Sequence, residues 1–139
     1  MNILVIDDNV ALCETLAIML ETMGHLPTVA LTGYSGIEAA KAKRPALILL
    51  DLGLPDITGY ETCRLLRKLN GLEETVIVAQ SGHDELSDVQ QAKDAGFDRL
   101  LVKPARSSSC NSLLPQLRGV RHLLDRTRLA GTRQHPRRM

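Results

Sequence analysis

Three aspartates and one lysine stand directly after short apolar runs, and these residues could do chemistry together. Asp7 and Asp8 follow the first run, Asp51 follows the third, and Lys103 follows the fifth. Strands that are apolar at every position are typical of parallel sheets covered by helices on both faces. Ligands of such sheets bind outside the carboxyl ends of the strands. The sequence therefore predicts three carboxylates and one ammonium group at that edge.

The gathered carboxylates indicate a divalent metal. Where a strand ends, the chain leaves its extended geometry, so the adjacent Asp7 and Asp8 can both turn toward one pocket. Carboxylates placed together repel one another and cannot all stay ionised unless a cation joins them. Mg²⁺ is the obvious candidate, because it binds one or two carboxylates together with water and phosphate oxygens. The alternative is that the pair caps a helix starting at Asn9, and the presence of Asp51 disfavours it.

Asp51 is the candidate nucleophile. An irregular loop containing Pro55, Asp56 and Gly59 follows it, so we expect its carboxylate to be exposed at the sheet edge. A carboxylate beside a metal can form an aspartyl phosphate. Phosphoryl transfer needs mainly alignment and positive charge around the transferring oxygens. The loop and the metal site together favour this chemistry.

Two further strand ends supply groups that suit a phosphate. Lys103 offers a positive charge, and Ser81, at the end of the fourth apolar run, offers a hydroxyl group. Each also has a simpler interpretation, as a solvated lysine or as a serine in a turn with Gly82. The agreement of five strand-end positions favours the phosphate interpretation over these separate ones.

Apolar runs alternate with helical patterns along the first hundred residues. The predicted strands span residues 2–6, 26–31, 46–50, 75–80 and 98–102, and the predicted helices span 9–23, 34–43, 58–70 and 84–95. This alternation is typical of right-handed βαβ units in a doubly wound parallel five-stranded sheet, an α/β fold. A fifth helix at about 107–125 is predicted to be irregular, because Pro115 either precedes its true start or kinks it.

Length and charge predict one domain with a basic tail. The 139 residues suffice for one core, which we place at residues 1–125, with a disordered tail at 126–139. Residues 1–105 carry a net charge of −6, whereas residues 106–139 carry +7. Because aromatics are only 2% of the chain, the arginine-rich tail predicts at most non-specific electrostatic contact with nucleic acid.

The three cysteines and the hydropathy pattern indicate a reducing, cytoplasmic setting. Cys13, Cys63 and Cys110 are odd in number and lack the spacing of a disulfide framework or a zinc site. Cys13 and Cys63 fall on predicted helices and are expected to be buried free thiols. The sequence shows no membrane-spanning stretch and no signal peptide, so we expect no membrane association.

The motifs resemble those of receiver domains of two-component response regulators. The resemblance is carried by MNILVIDDN at residues 1–9, by LDLGLPDITGYE at residues 50–61, and by AGFD to VKP at residues 95–104. It runs in order from about residue 2 to residue 104. The family fold is a flavodoxin-like (βα)5 three-layer sandwich, in agreement with the fold class that the periodicity indicates independently.

The resemblance implies a phosphoacceptor and its metal ligands. Asp51 would accept a phosphoryl group from a histidine kinase or a histidine phosphotransfer protein. Asp8 and Asp51 would bind Mg²⁺ by carboxylate, Gly53 by its backbone carbonyl and Asp7 through water. The Gly53 position also tunes how fast the aspartyl phosphate hydrolyses in the family.

The resemblance also implies a switch with one departure from the family. Lys103 would hold the phosphate, and Ser81 would swing toward it, biasing the loop that continues with Gly82 and His83. The His83 position is another that tunes hydrolysis of the phosphate. Three residues before the lysine the family usually has Tyr, Phe or His, whereas this chain has Leu100. The usual rotamer switch cannot operate through the Leu100 side chain. Signal output through the face of the domain that carries this position is therefore in question.

The residues at the strand ends are compatible with three functions. The leading one is a phosphorelay receiver, a monomer or weak homodimer that passes a signal to an output protein or domain. The second is a degenerate receiver that docks partners independently of phosphorylation. The third is a phosphatase of the haloacid dehalogenase type, which typically has a second acid two residues after its nucleophile. Since Gly53 takes that position after Asp51, we expect no enzyme beyond self-phosphorylation from small phosphodonors and autodephosphorylation.

Overall fold

The computed structural model describes residues 1–81, 93–102 and 118–125. Within these ranges strands and helices alternate. Residues 93–95 and 118–125 are also helical. The named elements are β1 (Asn2–Ile6), α1 (Val10–Thr22), β2 (Leu26–Ala30), α2 (Gly33–Lys43), β3 (Leu47–Asp51), α3 (Gly59–Arg67), β4 (Val76–Ser81) and β5 (Arg99–Val102).

All five strands form one parallel sheet in the order β2-β1-β3-β4-β5. The α/β doubly wound fold predicted from the sequence is therefore confirmed. The chain winds from β1 outward to β2 on one side and to β3 on the other. The ends of β1 and β3 thus flank the point where strand order reverses, which is where such sheets bind ligands. Ile6 pairs with Leu50 there, so Asp7 and Asp51 follow adjacent strand positions.

Residues 3–6 of β1 and 47–50 of β3 are all apolar and buried because both faces of the sheet are covered there. Leu50 and Ile6 belong to the cluster beneath α2 and α3, whereas Leu49 and Val5 belong to the cluster beneath α1. Every residue of β3 is buried. Burial on two faces leaves these strands no room for polar side chains until they end. Charged residues consequently stand together at the carboxyl edge.

Helix boundaries follow the capping signals that the sequence carries. Asn9 caps α1, and its side chain accepts a hydrogen bond from the Leu12 backbone N–H at 3.1 Å. Helix α3 ends at Arg67, three residues before the predicted end at residue 70. Beyond it, the Lys68 N–H donates to the Leu65 carbonyl, a tighter turn that closes the helix. The predicted range 58–70 was therefore too long at its end.

The fifth predicted helix is described only at its end. Residues 118–125 are helical, and Val120, Leu123 and Leu124 are buried in the cluster beneath α1. The predicted fifth helix is thus observed over residues 118–125. Pro115 and the basic tail lie outside the described residues.

Two cysteines are buried free thiols, as predicted. Cys13 lies on the buried face of α1, and Cys63 lies on that of α3. Burial raises the pKa of the Cys63 thiol to about 12. It is therefore protonated at neutral pH and unreactive as a nucleophile. Cys110 lies outside the described residues. Among the described helices, none has the length and apolar character that crossing a bilayer requires.

Arg67, at the end of α3, bonds the segments that lead into β4 and β5, at the edge of the sheet opposite the aspartates. Its guanidinium group donates to the carbonyl of Gly96 at 2.9 Å, to the carbonyl of Thr75 at 2.9 Å and to the carboxylate of Asp98 at 2.6 Å. The same carboxylate accepts the N–H of Ile77, the second residue of β4, at 2.9 Å. The planar fork of arginine suits this arrangement, since it presents several donors in fixed directions.

We expect Arg67→Lys to destabilise the protein by on the order of 2 kcal/mol, because lysine cannot reach three acceptors at once. Arg64→Lys is the matched control, since Arg64 lies on the same helix and forms an exposed ion pair with Glu61 at 3.5 Å. It should change stability by less than about 0.5 kcal/mol. Urea unfolding monitored by circular dichroism gives both values. Equal shifts for the two variants would contradict this role of Arg67.

Candidate functional site

The predicted carboxylates meet at the carboxyl edge of the sheet. One oxygen from each of Asp7, Asp8 and Asp51 lies within 4.8 Å of the others. Asp7 and Asp51 are 1% and 8% exposed, whereas Asp8 is exposed. The expectation that Asp51 is exposed was wrong. Pairing of β3 with β4 continues through Asp51, and the next N–H, that of Leu52, donates to the Gln80 carbonyl at 3.2 Å, so the sheet still covers this residue.

Asp7 is held by the backbone on both sides. Its N–H donates to the Ala30 carbonyl at 3.0 Å, which continues the pairing of β1 with β2. Its carboxylate accepts the Asn9 N–H at 2.9 Å, and the Cys13 thiol donates to its carbonyl at 3.3 Å. Because Asn9 itself caps α1, the alternative in which the aspartate pair serves as the cap is wrong.

The two ends of the loop after Asp51 are hydrogen-bonded to each other. The Gly59 N–H donates to the Leu52 carbonyl at 3.0 Å and closes the loop at its root. A Cβ atom on Gly59 would lie 2.5 Å from the Asp51 carbonyl oxygen, so only glycine fits this approach. Gly53, in contrast, is exposed and has nothing within 4 Å of the position its Cβ would take.

Asp56 fastens the tip of this loop to another element. Its two carboxylate oxygens accept the N–H groups of Gly33 at 2.8 Å and Tyr34 at 2.9 Å, in the first turn of α2. Desolvation acts to raise the pKa of the Asp56 carboxyl, but the backbone N–H groups around it outweigh that effect, so its pKa is lowered. Sequence reasoning missed this contact, because the partners are 22 and 23 positions apart and share no local motif.

The donor set suits a hard divalent cation. Three carboxylates bring only oxygen ligands, and two of them are buried, where separated negative charge is costly. Mg²⁺ binds through one or two carboxylates and keeps several waters, and the exposed side of Asp8 leaves room for them. The residues therefore fit the metal that the sequence predicted.

The other predicted residues are placed only in part. Ser81 ends β4 and pairs in register with Val102, so its backbone reaches the same edge as Asp51. Leu100 lies in β5, is half-buried and packs against the cluster beneath α2 and α3. Lys103, Gly82 and His83 lie outside the described residues.

The loop geometry predicts opposite outcomes for two glycine substitutions. Gly59→Ala places its Cβ against the Asp51 carbonyl oxygen, so we expect a loss of about 1–3 kcal/mol in the free energy of unfolding. Gly53→Ala meets open space and should leave that free energy within about 0.5 kcal/mol of wild type. Urea denaturation of both variants tests the difference. An unchanged free energy of unfolding in Gly59→Ala would show that the loop can move away from the Asp51 carbonyl and would contradict the close approach.

Comparisons with known proteins agree with this geometry. A family model, the response regulator receiver domain, matches residues 3–114. The transcriptional regulatory protein AfsQ1 of Streptomyces coelicolor is 33% identical over 105 residues, covering 76% of this chain and 45% of that protein. The DNA-binding response regulator MtrA of Mycobacterium tuberculosis is 35% identical over 103 residues, covering 74% and 44%. The chain thus spans less than half the length of these relatives.

One solved structure is similar in fold and holds a metal. It is the receiver domain of the sensor histidine kinase PA1611 from Pseudomonas aeruginosa, with a magnesium ion coordinated in its active site cleft. Its TM-score is 0.73 at 24% identity, over 90% of this chain and 94% of that chain. At this identity the likeness shows a shared fold.

Proposed function

Because the chain belongs to the response regulator receiver domain family, we propose that Asp51 accepts a phosphoryl group in a reaction that requires Mg²⁺. Receiver domains are in general phosphoacceptors rather than enzymes. The observation that carries the proposal is the meeting of three carboxylate oxygens within 4.8 Å at the edge where this fold binds ligands.

The chemical step forms one bond and breaks one. An Asp51 carboxylate oxygen attacks the phosphorus atom of a phosphohistidine or of a small acyl phosphate. The bond from phosphorus to the imidazole nitrogen or to the acyl oxygen breaks, and the leaving group takes the bonding electron pair. The carboxylate attacks as the anion, so no base is needed to activate it. The product is an aspartyl phosphate.

The metal ligands follow the oxygens available at the edge. We assign Asp8 and Asp51 as carboxylate ligands, Gly53 as a carbonyl ligand and Asp7 as a ligand through water. The buried Asp7 suits the indirect role, because one of its oxygens already accepts the Asn9 N–H. When bound, Mg²⁺ supplies positive charge that offsets the carboxylates and the transferring oxygens.

The roles that the family implies for the other residues extend the same site. Lys103 holds the transferred phosphate, and the Ser81 hydroxyl turns toward it once Asp51 is modified. Gly82 and His83 continue the segment that would move, and a shift in that segment would alter a surface read by other proteins.

The partners are proposed from the family and from the relatives. Receiver domains interact with histidine kinases and output domains, and the phosphoryl donor here would be a histidine kinase or a phosphotransfer protein. Relatives include a DNA-binding response regulator, and the signal here would pass to a downstream output protein or domain. The absence of a specific nucleic-acid partner, the cytoplasmic setting and the monomer or weak homodimer stay predictions.

A second candidate function is phosphorylation-independent docking. It is motivated by Leu100, which packs as an apolar side chain in β5 where the family usually has a ring coupled to the hydroxyl residue, but the match to the family does not favour it. Under this alternative Asp51→Asn would bind the partner as tightly as wild type. Under the proposed function, phosphodonor treatment changes partner affinity in wild type and has no effect in Asp51→Asn.

Phosphorylation is tested by intact mass after incubation with acetyl phosphate and Mg²⁺. We expect wild type to gain one phosphoryl group, because Asp51 has the oxygen nucleophile and its neighbours hold the metal. Asp51→Asn should gain none, and chelation of Mg²⁺ should abolish the gain. Asp125→Asn, which removes an exposed carboxylate in the helical residues 118–125, is the control and should label like wild type.

Two outcomes would contradict the proposal. Labelling that persists in Asp51→Asn would place the phosphoryl group elsewhere. A wild-type protein that stays unlabelled beside a receiver that does label would favour the docking function.

A further inference from the structure

We propose that Asp56 is a positioning residue for the metal site, because it fixes the loop of residues 52–58 against α2 and so holds the Gly53 carbonyl in place. This inference rests on the proposed function, since the Gly53 carbonyl is assigned there as a metal ligand. Asp56 itself would touch neither the metal nor the phosphoryl group.

Gly53 cannot hold its own carbonyl in place. It has no side chain, it is exposed, and nothing lies within 4 Å of the position its Cβ would take. Its orientation is therefore set by the residues on either side of it. A metal ligand that depends on its neighbours in this way needs them to be rigid.

The loop is anchored at its root and at its tip. At the root the Gly59 N–H bonds the Leu52 carbonyl at 3.0 Å. Within the loop, Leu54 and Ile57 pack as half-buried side chains against the cluster beneath α2 and α3. At the tip, the two Asp56 oxygens accept N–H groups of α2. Hydrogen bonds to a charged acceptor are stronger than neutral ones, so the tip anchor is a firm contact.

Helix α2 is a rigid base for this anchor. A Cβ on Gly33 would lie 2.6 Å from Cγ1 of Ile57 and 2.7 Å from Oγ1 of Thr62, so the helix start is fitted closely to the loop and to α3. A Cβ on Gly36 would lie 2.5 Å from Cδ1 of Ile6, the residue that precedes Asp7. The same helix thus contacts the strand that ends in the aspartate pair and the loop that carries Gly53.

Two different residues, Asp56 and Thr32, accept the N–H groups at the start of α2, so the anchoring of the loop can be tested separately from capping of the helix. A helix start leaves four N–H groups without partners inside the helix. Here Asp56 accepts two of them, those of Gly33 and Tyr34. The Ser35 hydroxyl accepts the Thr32 N–H at 3.2 Å, and the Thr32 hydroxyl accepts the Ser35 N–H at 3.1 Å. Thr32 therefore caps the same helix through hydrogen bonds to Ser35.

The test compares Asp56→Ala, Asp56→Asn and Thr32→Ala at a temperature where all three are folded. Calorimetric titration with MgCl₂ should show a Kd weakened about tenfold or more in Asp56→Ala. Asp56→Asn keeps one acceptor oxygen and should fall between Asp56→Ala and wild type. Thr32→Ala should bind like wild type. In the metal-free proteins, ¹⁵N relaxation should show a lower order parameter for the Gly53 amide in Asp56→Ala alone.

The outcomes separate this inference from the proposed function. A wild-type protein that binds no Mg²⁺ overturns the proposed function and, with it, the role of Asp56. Wild-type binding that is unchanged in Asp56→Ala overturns the role of Asp56 alone. Equal weakening in Asp56→Ala and Thr32→Ala would assign the effect to loosening of α2 and would also overturn it.

Discussion

The mutual repulsion of three carboxylates is the constraint on which the rest of the site depends. Asp7, Asp8 and Asp51 place oxygens within 4.8 Å, and two of these residues are buried, where water screens their charges poorly. Such a cluster keeps its geometry only if the surrounding structure holds it rigidly, and its members can all stay ionised only if a positive charge joins them. The apolar strands β1 and β3 provide the rigidity, since side chains on both faces of the sheet fix their ends. Stability of the core and chemistry at the edge are therefore linked through the same two strands.

The fold and the aspartate cluster could be predicted from sequence because each depends on local signals. Runs such as Leu47–Leu50 are apolar at every position, which only a strand buried on both faces requires, and the first charged residue after such a run marks its end. The periodicity of α1 and its Asn9 cap are equally local. The role of a residue can be predicted from the sequence when it depends only on the helix or strand that contains the residue, or on the end of that element.

Other features could not be predicted because they depend on contacts between elements. Asp51 is buried as the last residue of β3, which runs one residue beyond the predicted strand and pairs there with Gln80, and no signal near Asp51 indicates this. The early end of α3 depends on a turn that apolar periodicity does not reveal. The contact of Asp56 with Gly33 joins residues 23 positions apart, and a lone aspartate in a loop is equally consistent with a solvated side chain.

Helix α2 shows how an element without a reactive residue can still govern the geometry of the site. It contributes no carboxylate to the cluster, yet its Gly36 lies against Ile6 and its first turn receives Asp56. The aspartates that follow β1 and the loop of residues 52–58 each carry oxygens assigned to the metal. Because one helix contacts both β1 and this loop, a displacement of its first turn would alter the spacing between these oxygens. Small residues at the two contacts allow this close approach, so Gly33 and Gly36 belong to the site in a physical sense although neither has a functional group.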